Sequence, residues 1–314
     1  MQHEYLKQKQ PVIMKNTLII IVIILSLNAC QSSKKESHTD KEVWIDLFNG
    51  KDLTGWDIKI AGHEVNDNYK NTFIVQDSMI RVSYDNYDNF DNKFGHMYYH
   101  VPFSYYKLSF DYRFTGEQLV GGSKWNVRNS GIMLHSQSAA SNEIGQNFPV
   151  SIELQLLGGL GTEDRNTANV CTPGTAVVMQ DTINFSHCIK SNSATYHGDQ
   201  WVHVDATVMG GASMEFIVEN DAVLRFENPQ INGGFISEKQ EGKDWDKANI
   251  IEDKERWISK KGTLLTEGYI ALQAESHPVD FKNLKLLNLC GCMDSTAVNY
   301  KSYYVKSDPK QCKY

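Results

Sequence analysis

The sequence predicts an all-β protein whose main domain is a sandwich or jelly roll. Apolar and polar residues alternate with a period of two along most of the chain, and no comparable helical period occurs. Polar turn residues separate the alternating segments, and the 314 residues include only 7 prolines. Many short strands joined by polar turns form two sheets that bury their inner faces against each other.

Four segments show this alternation most clearly. Residues 106–114 and 202–208 place apolar side chains at every second position, with charged or polar ones between them, which predicts half-buried strands. Residues 73–82 and 215–226 show the same pattern interrupted by polar turn residues, which predicts two hairpins. We therefore expect one face of each strand to lie in the core.

Three further strands carry side chains that are suited to chemistry. In residues 130–135, 151–157 and 269–275, alternation predicts one apolar face and an opposite face that is free for other roles. The residues predicted on these opposite faces are Gly131, Met133 and His135 in the first strand, Glu153 and Gln155 in the second, and Gln273 and Glu275 in the third.

The N-terminal residues predict export and lipid attachment. Lys15 precedes an unbroken apolar run, 18–25, which is shorter than the roughly 18 residues that a membrane-spanning helix needs. The Leu-Asn-Ala-Cys segment at 27–30 resembles the lipobox of bacterial lipoproteins. We therefore predict a cleaved signal peptide over residues 1–29, with Met14 as the candidate start. Lipidation of Cys30 would hold the protein at the bacterial cell envelope, on the periplasmic side or the outer surface.

Composition divides the rest of the chain into three parts. Residues 30–42 are almost entirely polar and are predicted to form a flexible tether. Residues 43–289 are predicted to form one domain, and residues 290–314 a cysteine-bounded module. The net charge of −7, without a concentrated basic cluster, argues against nucleic acid as a partner. The lipid anchor is the only membrane contact predicted.

The remaining cysteines indicate disulfides rather than a zinc site. In an oxidising compartment cysteines form disulfides, and the spacings here are not those of zinc ligands. We predict that Cys171 pairs with Cys188. Cys312 is predicted to pair with Cys292, although the sequence equally allows a bridge between Cys312 and Cys290.

Residues 235–262 interrupt the strand pattern with many charged residues. We interpret this segment as a long, solvated excursion from the sandwich. A lid over a binding site is the alternative.

Several segments share their sequence with a known family. LFNGKDLTGW at 47–56 opens the domain, NSGI at 129–132 and ELQ at 153–155 lie centrally, and GYIALQ at 268–273 with FKNL at 281–284 close it. In this order, across about residues 43–289, they resemble the 3-keto-disaccharide hydrolase family, also called domain of unknown function 1080. The resemblance implies a concanavalin-like jelly roll. The C-terminal module is similar to short cysteine-bounded modules of secreted bacterial proteins, and we expect it to be stapled by a disulfide.

The resemblance also implies cleavage of sugars that are oxidised at C3, by removal of the C2 proton, elimination at C1 and hydration. Such a site needs a base or acid near its working pH, a donor or cation for the enolate, and groups that bind sugar hydroxyls. The candidate bases and acids are Glu153, His135, Glu275 and His277. A bound divalent metal, Lys124 or Arg128 could stabilise the enolate. The indole of Trp125 could stack on the sugar ring. The side-chain amides that could bind sugar hydroxyls are those of Asn129, Gln155 and Gln273.

Each of these residues could instead have a purely structural role. Two other functions are alternatives to the cleavage of 3-keto-sugars. A retaining glycosidase needs two carboxyl groups roughly 5 Å apart. Gln155 occupies the second position on the Glu153 strand, so Glu275 or another carboxylate would have to come from a neighbouring strand. A non-catalytic carbohydrate-binding lipoprotein is the other alternative, because the fold serves both roles.

Overall fold

The computed structural model describes residues 41–235 and 244–314 of the chain. The signal peptide, Cys30 and most of the predicted tether lie outside these residues, so the predictions made for them stay predictions. The elements are β1 (Trp44–Asp46), β2 (Trp56–Ile60), β3 (Phe73–Gln76), β4 (Met79–Val82), β5 (Gly95–Tyr99), β6 (Tyr105–Phe114), β7 (Asn129–Ser136), β8 (Ile152–Leu157), β9 (Asn169–Cys171), β10 (Thr175–Met179), β11 (Thr182–Asn184), β12 (Cys188–Ile189), β13 (Val202–Met209), β14 (Ser213–Val218), β15 (Asp221–Ile231), α1 (Lys254–Ile258), β16 (Tyr269–Ala274), β17 (Val279–Asn288), β18 (Cys290–Gly291) and β19 (Lys306–Ser307).

Two antiparallel sheets form the sandwich. The ten-stranded sheet has the order β11-β10-β15-β14-β13-β6-β17-β4-β3, and β1 pairs with β17 beside this path. The seven-stranded sheet has the order β12-β9-β8-β7-β16-β5-β2. This arrangement confirms the predicted all-β jelly-roll sandwich.

The core lies between the inner faces of the two sheets. Phe110 and Phe281 of the ten-stranded sheet are fully buried, as are Ile132, Leu154 and Leu272 of the seven-stranded sheet. Burial of each such side chain stabilises the fold by about 1.5–3 kcal/mol. The four segments with the clearest alternation form β6, β13 and the hairpins β3–β4 and β14–β15, as predicted.

Helical structure is scarce in the described residues. The α-helix α1 has five residues, and the other helical pieces are single 3-10 turns. No helix in 41–235 or 244–314 has the length and apolar character needed to cross a membrane.

The described part of the excursion after β15 is only partly solvated: most of its charged residues are exposed, whereas its apolar residues pack against the sandwich. Trp245 is fully buried and, together with Phe235, Trp257 and Ile250, forms a second apolar cluster against Val150. The Trp245 indole donates to a backbone carbonyl at 3.0 Å. Aromatic residues interspersed among the charges supply enough apolar area to bury this segment against the sandwich.

Both predicted disulfides are present. Cys171 pairs with Cys188 and thereby links β9 to β12, and Cys292 pairs with Cys312 in the C-terminal module. Cys290 is a free thiol in β18, so the alternative bridge from Cys290 to Cys312 does not form.

Candidate active site

A cleft of about 680 Å³ lies on the outer face of the seven-stranded sheet. Strands β7, β8 and β9 contribute its floor, and loops from both sides of the sheet form its walls. The lining residues that carry polar or charged groups include Asn92, Lys124, Asn129, Asn147, Glu153, Gln155, Arg165, His187, Lys247 and Glu275.

Strand register places the floor residues side by side. Glu153 on β8 lies opposite Met133 on β7 and opposite Cys171 on β9. Gln155, two positions further along the same face, lies opposite Gly131. Because side chains alternate along a strand, these residues all point away from the core. The structure thus brings together two predicted residues of β8 in the way that alternation indicated.

Glu153 and Glu275 form a buried carboxyl pair at the cleft. Their exposed fractions are 6 % and 2 %, respectively. Burial raises the pKa of Glu153 to about 8. Burial also raises the pKa of Glu275 well above its ordinary value, and repulsion from Glu153 raises it further, against a smaller opposing effect of Arg165. At neutral pH the pair therefore carries fewer than two negative charges.

Arg165 brings a positive charge to the cleft. Its Nη1 donates to the carbonyl oxygens of Val127, Arg128 and Gly158 at 2.7, 3.1 and 2.8 Å, which fixes the guanidinium against the loop before β7. Burial lowers its pKa, and its charge acts on Glu275. Sequence reasoning missed Arg165 because it lies in an irregular loop where no strand pattern predicts the direction of a side chain.

Aromatic rings form one wall of the cleft. Phe94 stacks nearly parallel to Trp125, with ring centroids 6.3 Å apart, and contacts Phe148 at 4.6 Å. The Trp125 side chain is 53 % exposed, so its indole is accessible to a ligand at the rim. Lys124 and Asn129 also line the cleft, as the assignment of substrate-binding residues requires.

His135 does not line the cleft, and its predicted outward position is wrong. Opposite Ala271 and Tyr269, β7 contains one more residue than β16, which is a bulge. His135 adopts a φ of 47° there, and its ring packs against Tyr106 of the ten-stranded sheet, with centroids 6.0 Å apart. The bulge breaks the two-residue alternation. Burial lowers the pKa of His135 to about 4.

Three other predicted residues lie beside or beneath the cleft but do not line it. Gln273 is fully buried on β16. Arg128 is engaged by Asp199, with Nη2 to Oδ1 at 2.6 Å. The ring of His277 packs edge-on against Phe114 with centroids 5.6 Å apart, and burial together with the charge of Arg128 lowers its pKa to about 4.

The resemblance suggests a divalent metal, and the cleft residues can be compared with the ligands that such a metal needs. In the described part of the chain, no three His, Cys, Asp or Glu side chains come together as a metal-binding group. Glu153 and Glu275 alone do not make such a group, so the described residues of the cleft do not fit a divalent metal.

Several solved structures are similar in fold. A glycosyl hydrolase candidate from Parabacteroides distasonis ATCC 8503 is 14 % identical, with 79 % of this chain and 100 % of that chain covered and a TM-score of 0.46. A second one from the same organism is 18 % identical, with coverages of 78 % and 94 % and a TM-score of 0.43. Carbohydrate-binding module CBM66 of Bacillus subtilis is 9 % identical, with coverages of 75 % and 96 % and a TM-score of 0.40.

Sequence comparison assigns the domain more directly. No curated protein matches the chain. A family model, however, matches residues 43–287, which is most of the described sandwich. The chain belongs to the family of 3-keto-alpha-glucoside-1,2-lyase-like domains.

Proposed function

We propose that this protein is a carbohydrate-active enzyme that cleaves 3-keto-glycosides in the cleft of the seven-stranded sheet. The Glu153–Glu275 pair carries this proposal. Two neighbouring buried carboxyl groups whose pKa values are both raised can share a proton, so that one acts as a base while the other acts as an acid. Family membership supplies the substrate class.

The base in this scheme is Glu153. A ketone at C3 acidifies the proton on C2, and the ionised Glu153 removes that proton, so the C2–H bond breaks and its electron pair spreads onto the ketone oxygen as an enolate. A pKa of about 8 suits this step, because such a carboxylate is a stronger base than an ordinary glutamate.

The acid is Glu275, because the charge of an ionised Glu153 raises the pKa of Glu275 and so favours its protonated form. As the enolate re-forms the ketone, a double bond forms between C1 and C2, the C1–O bond breaks, and the departing oxygen takes the proton of Glu275. Addition of water to C1 of the resulting enone then gives the free 3-keto sugar. Transfer of the proton from Glu153 to Glu275 returns both carboxyls to their starting states, and the added water supplies the hydroxyl on C1 and the hydrogen on C2.

Other cleft residues bind and stabilise. Arg165 is held by three carbonyls and is a fixed cation for the developing enolate. Asn129 and Gln155 can donate to and accept from sugar hydroxyls, and the exposed indole of Trp125 can cover one face of the pyranose.

The test is incubation of the purified protein with 3-keto-glucosides, with the parent glucosides, and with buffer. We expect release of the aglycone from the keto-sugars alone, and chromatography measures this release. Turnover of the parent glucosides at a similar rate would contradict the proposal.

A conventional glycoside hydrolase is the second candidate, and its support is that the charge of Glu153 on β8 acts on Glu275, which follows β16 two strands away in the same sheet. A retaining enzyme needs an ionised nucleophile, just as the proposed mechanism needs an ionised base. The raised pKa values of both carboxyls therefore bear equally on the two reactions, and family membership favours the keto-glycoside substrate. In the same assay, release from parent glucosides would support this candidate, and binding without turnover would support a carbohydrate-binding protein.

We also propose that the enzyme is a lipoprotein of the bacterial cell envelope, anchored through Cys30. The lipobox-like segment at 27–30 supports this proposal. Cells that express the protein should incorporate labelled palmitate into it, and Cys30→Ser should abolish the label. Labelling that persists in Cys30→Ser would contradict it.

A further inference from the structure

The side chain of Glu153 occupies the space above Gly131. A Cβ built on Gly131 would lie 2.5 Å from Oε1, 2.8 Å from Cγ and 3.0 Å from Cδ of Glu153. All three nearest atoms belong to this one side chain. Any larger residue at position 131 would therefore displace the carboxyl group of Glu153.

The direction of this contact follows from the strand register. Glu153 lies directly opposite Met133, whereas Gly131 lies opposite Gln155. The side chain of Glu153 thus leans diagonally across β7 rather than standing over its own partner. On the far side of β7 is β16, which ends next to Glu275. The carboxyl of Glu153 therefore lies over the intervening strand β7, and its charge acts on Glu275.

We infer that Gly131 is a positioning residue for the reaction proposed above: its missing side chain lets the Glu153 carboxyl lie across β7 and pair with Glu275. This inference rests on the proposed function for its catalytic consequence. The placement itself rests on the register and on the contact between Gly131 and Glu153.

Displacement of Glu153 would change its surroundings in a defined way. Glu275 faces it from the end of β16, and Arg165 acts on that pair from the loop after β8. The other charged or titratable groups of the cleft are Lys124, His187 and Lys247. With a methyl group at 131, the carboxyl turns into the open cleft, where it is hydrated and nearer to lysines, so its pKa falls.

The experiment compares Gly131→Ala with Gly145→Ala in the purified protein. A Cβ at Gly145 would meet only Asn249, at an ordinary 3.8 Å, so this substitution is the matched control. We expect Gly131→Ala to lower kcat/KM for a 3-keto-glucoside at least tenfold at pH 8 and to move the acid limb of its pH profile to lower pH. Unchanged rate and profile would overturn the inference.

A double variant tests whether Gly131 acts through Glu153. In a Glu153→Gln background, Gly131→Ala should cause no further loss, because the base is already absent. If the losses in kcat/KM caused by Gly131→Ala and by Glu153→Gln multiply in the double variant, the inference is overturned.

A measurement without substrate separates this inference from the proposed function. In ¹³C-glutamate-labelled protein, the carboxyl signal assigned through Glu153→Gln should titrate at a pH lower by one unit or more in Gly131→Ala, and at the wild-type pH in Gly145→Ala. If wild-type protein leaves keto-sugars intact but the signal moves, the placement holds and the proposed function fails. If Gly131→Ala does not fold, Glu153→Asp tests the same placement in ¹³C-aspartate-labelled protein, because its side chain is one methylene shorter and lies less far over Gly131. A carboxyl at position 153 that titrates at the wild-type pH would overturn the inference.

Discussion

The outer faces of both sheets carry buried carboxyl groups, but the charged groups beside these carboxyls differ between the two faces. On the ten-stranded sheet, the fully buried Asp280 accepts from Arg81 Nε at 2.6 Å and from Arg113 Nε at 2.9 Å. On the seven-stranded sheet, Glu153 and Glu275 are nearly as buried, and the charge that acts most strongly on Glu275 is that of another carboxyl, Glu153.

The difference teaches that burial alone does not make a site. Asp280 pairs with two guanidinium groups, and its removal would leave both without their partner, so it serves stability. Two carboxyls that share a dry pocket cannot both ionise easily, so they are ready to exchange protons. The aromatic rings and loops of the cleft bury Glu153 and Glu275 without a guanidinium pair like the one that holds Asp280, which creates the second situation.

The strongest test of this contrast is Glu153→Gln. Loss of a general base costs about 10²–10⁴-fold in rate. The free energy of unfolding should not fall, because no favourable charge interaction is removed. Turnover of 3-keto-glucosides and thermal unfolding are measured together, with the exposed Glu227→Gln as control. A large loss of stability at full rate would reverse the roles assigned to the two faces.

The second test concerns the disulfide that flanks Glu153. Cys171 and Cys188 both line the cleft and are 17 residues apart. Replacing both by serine should lower the free energy of unfolding by about 3 kcal/mol through loss of the cross-link. Denaturant titration measures this, and activity should fall as well. The same replacement of Cys292 and Cys312, in the terminal module, should leave activity unchanged; an equal loss there would remove the distinction.

Asp280→Asn tests the other face. Hydrogen bonds to charged groups contribute about 1.5–3 kcal/mol each, and this change weakens those from Arg81 and Arg113. We expect a lower melting temperature and an unchanged kcat/KM for the folded protein. A selective loss of activity would show that the ten-stranded sheet takes part in the chemistry.

The pH dependence should follow Glu153. Its pKa of about 8 implies that kcat/KM rises about tenfold per pH unit below that value and then levels off. The folded protein also binds this proton more tightly than the unfolded chain does, so stability should decline as pH rises from the ordinary carboxyl range toward 8. Melting curves of wild type and Glu153→Gln across this range check the sign; parallel curves would contradict it.

The smallest effect is expected at Trp125. An aromatic stacking contact contributes about 0.5–1.5 kcal/mol, so Trp125→Ala should raise KM several-fold and leave kcat nearly unchanged. Trp201 is the counterpart on the ten-stranded sheet, where Lys282 lies 3.8 Å from its ring centroid. Trp201→Ala should reduce stability without raising KM.

Alternation made the fold and half of the site predictable. Glu153 and Gln155 were placed correctly because β8 is a regular strand, and the cysteine pair followed from export and spacing. His135 was misplaced because the bulge in β7 depends on pairing with β16, which one strand's pattern does not encode. Arg165 and Phe94 reach the cleft from irregular segments, and the aromatic packing of Trp245 depends on distant partners.

The pairing of β1 with β17 has a mechanical consequence. Trp44 lies opposite Leu287, so the beginning of the domain and its last long strand meet at one end of the same strand pair. A pull applied to the segments on either side would open this pair one hydrogen-bonded rung at a time, as a zipper, instead of shearing all rungs together. Tension would therefore detach three residues of β1 at low force before any load reached the cleft.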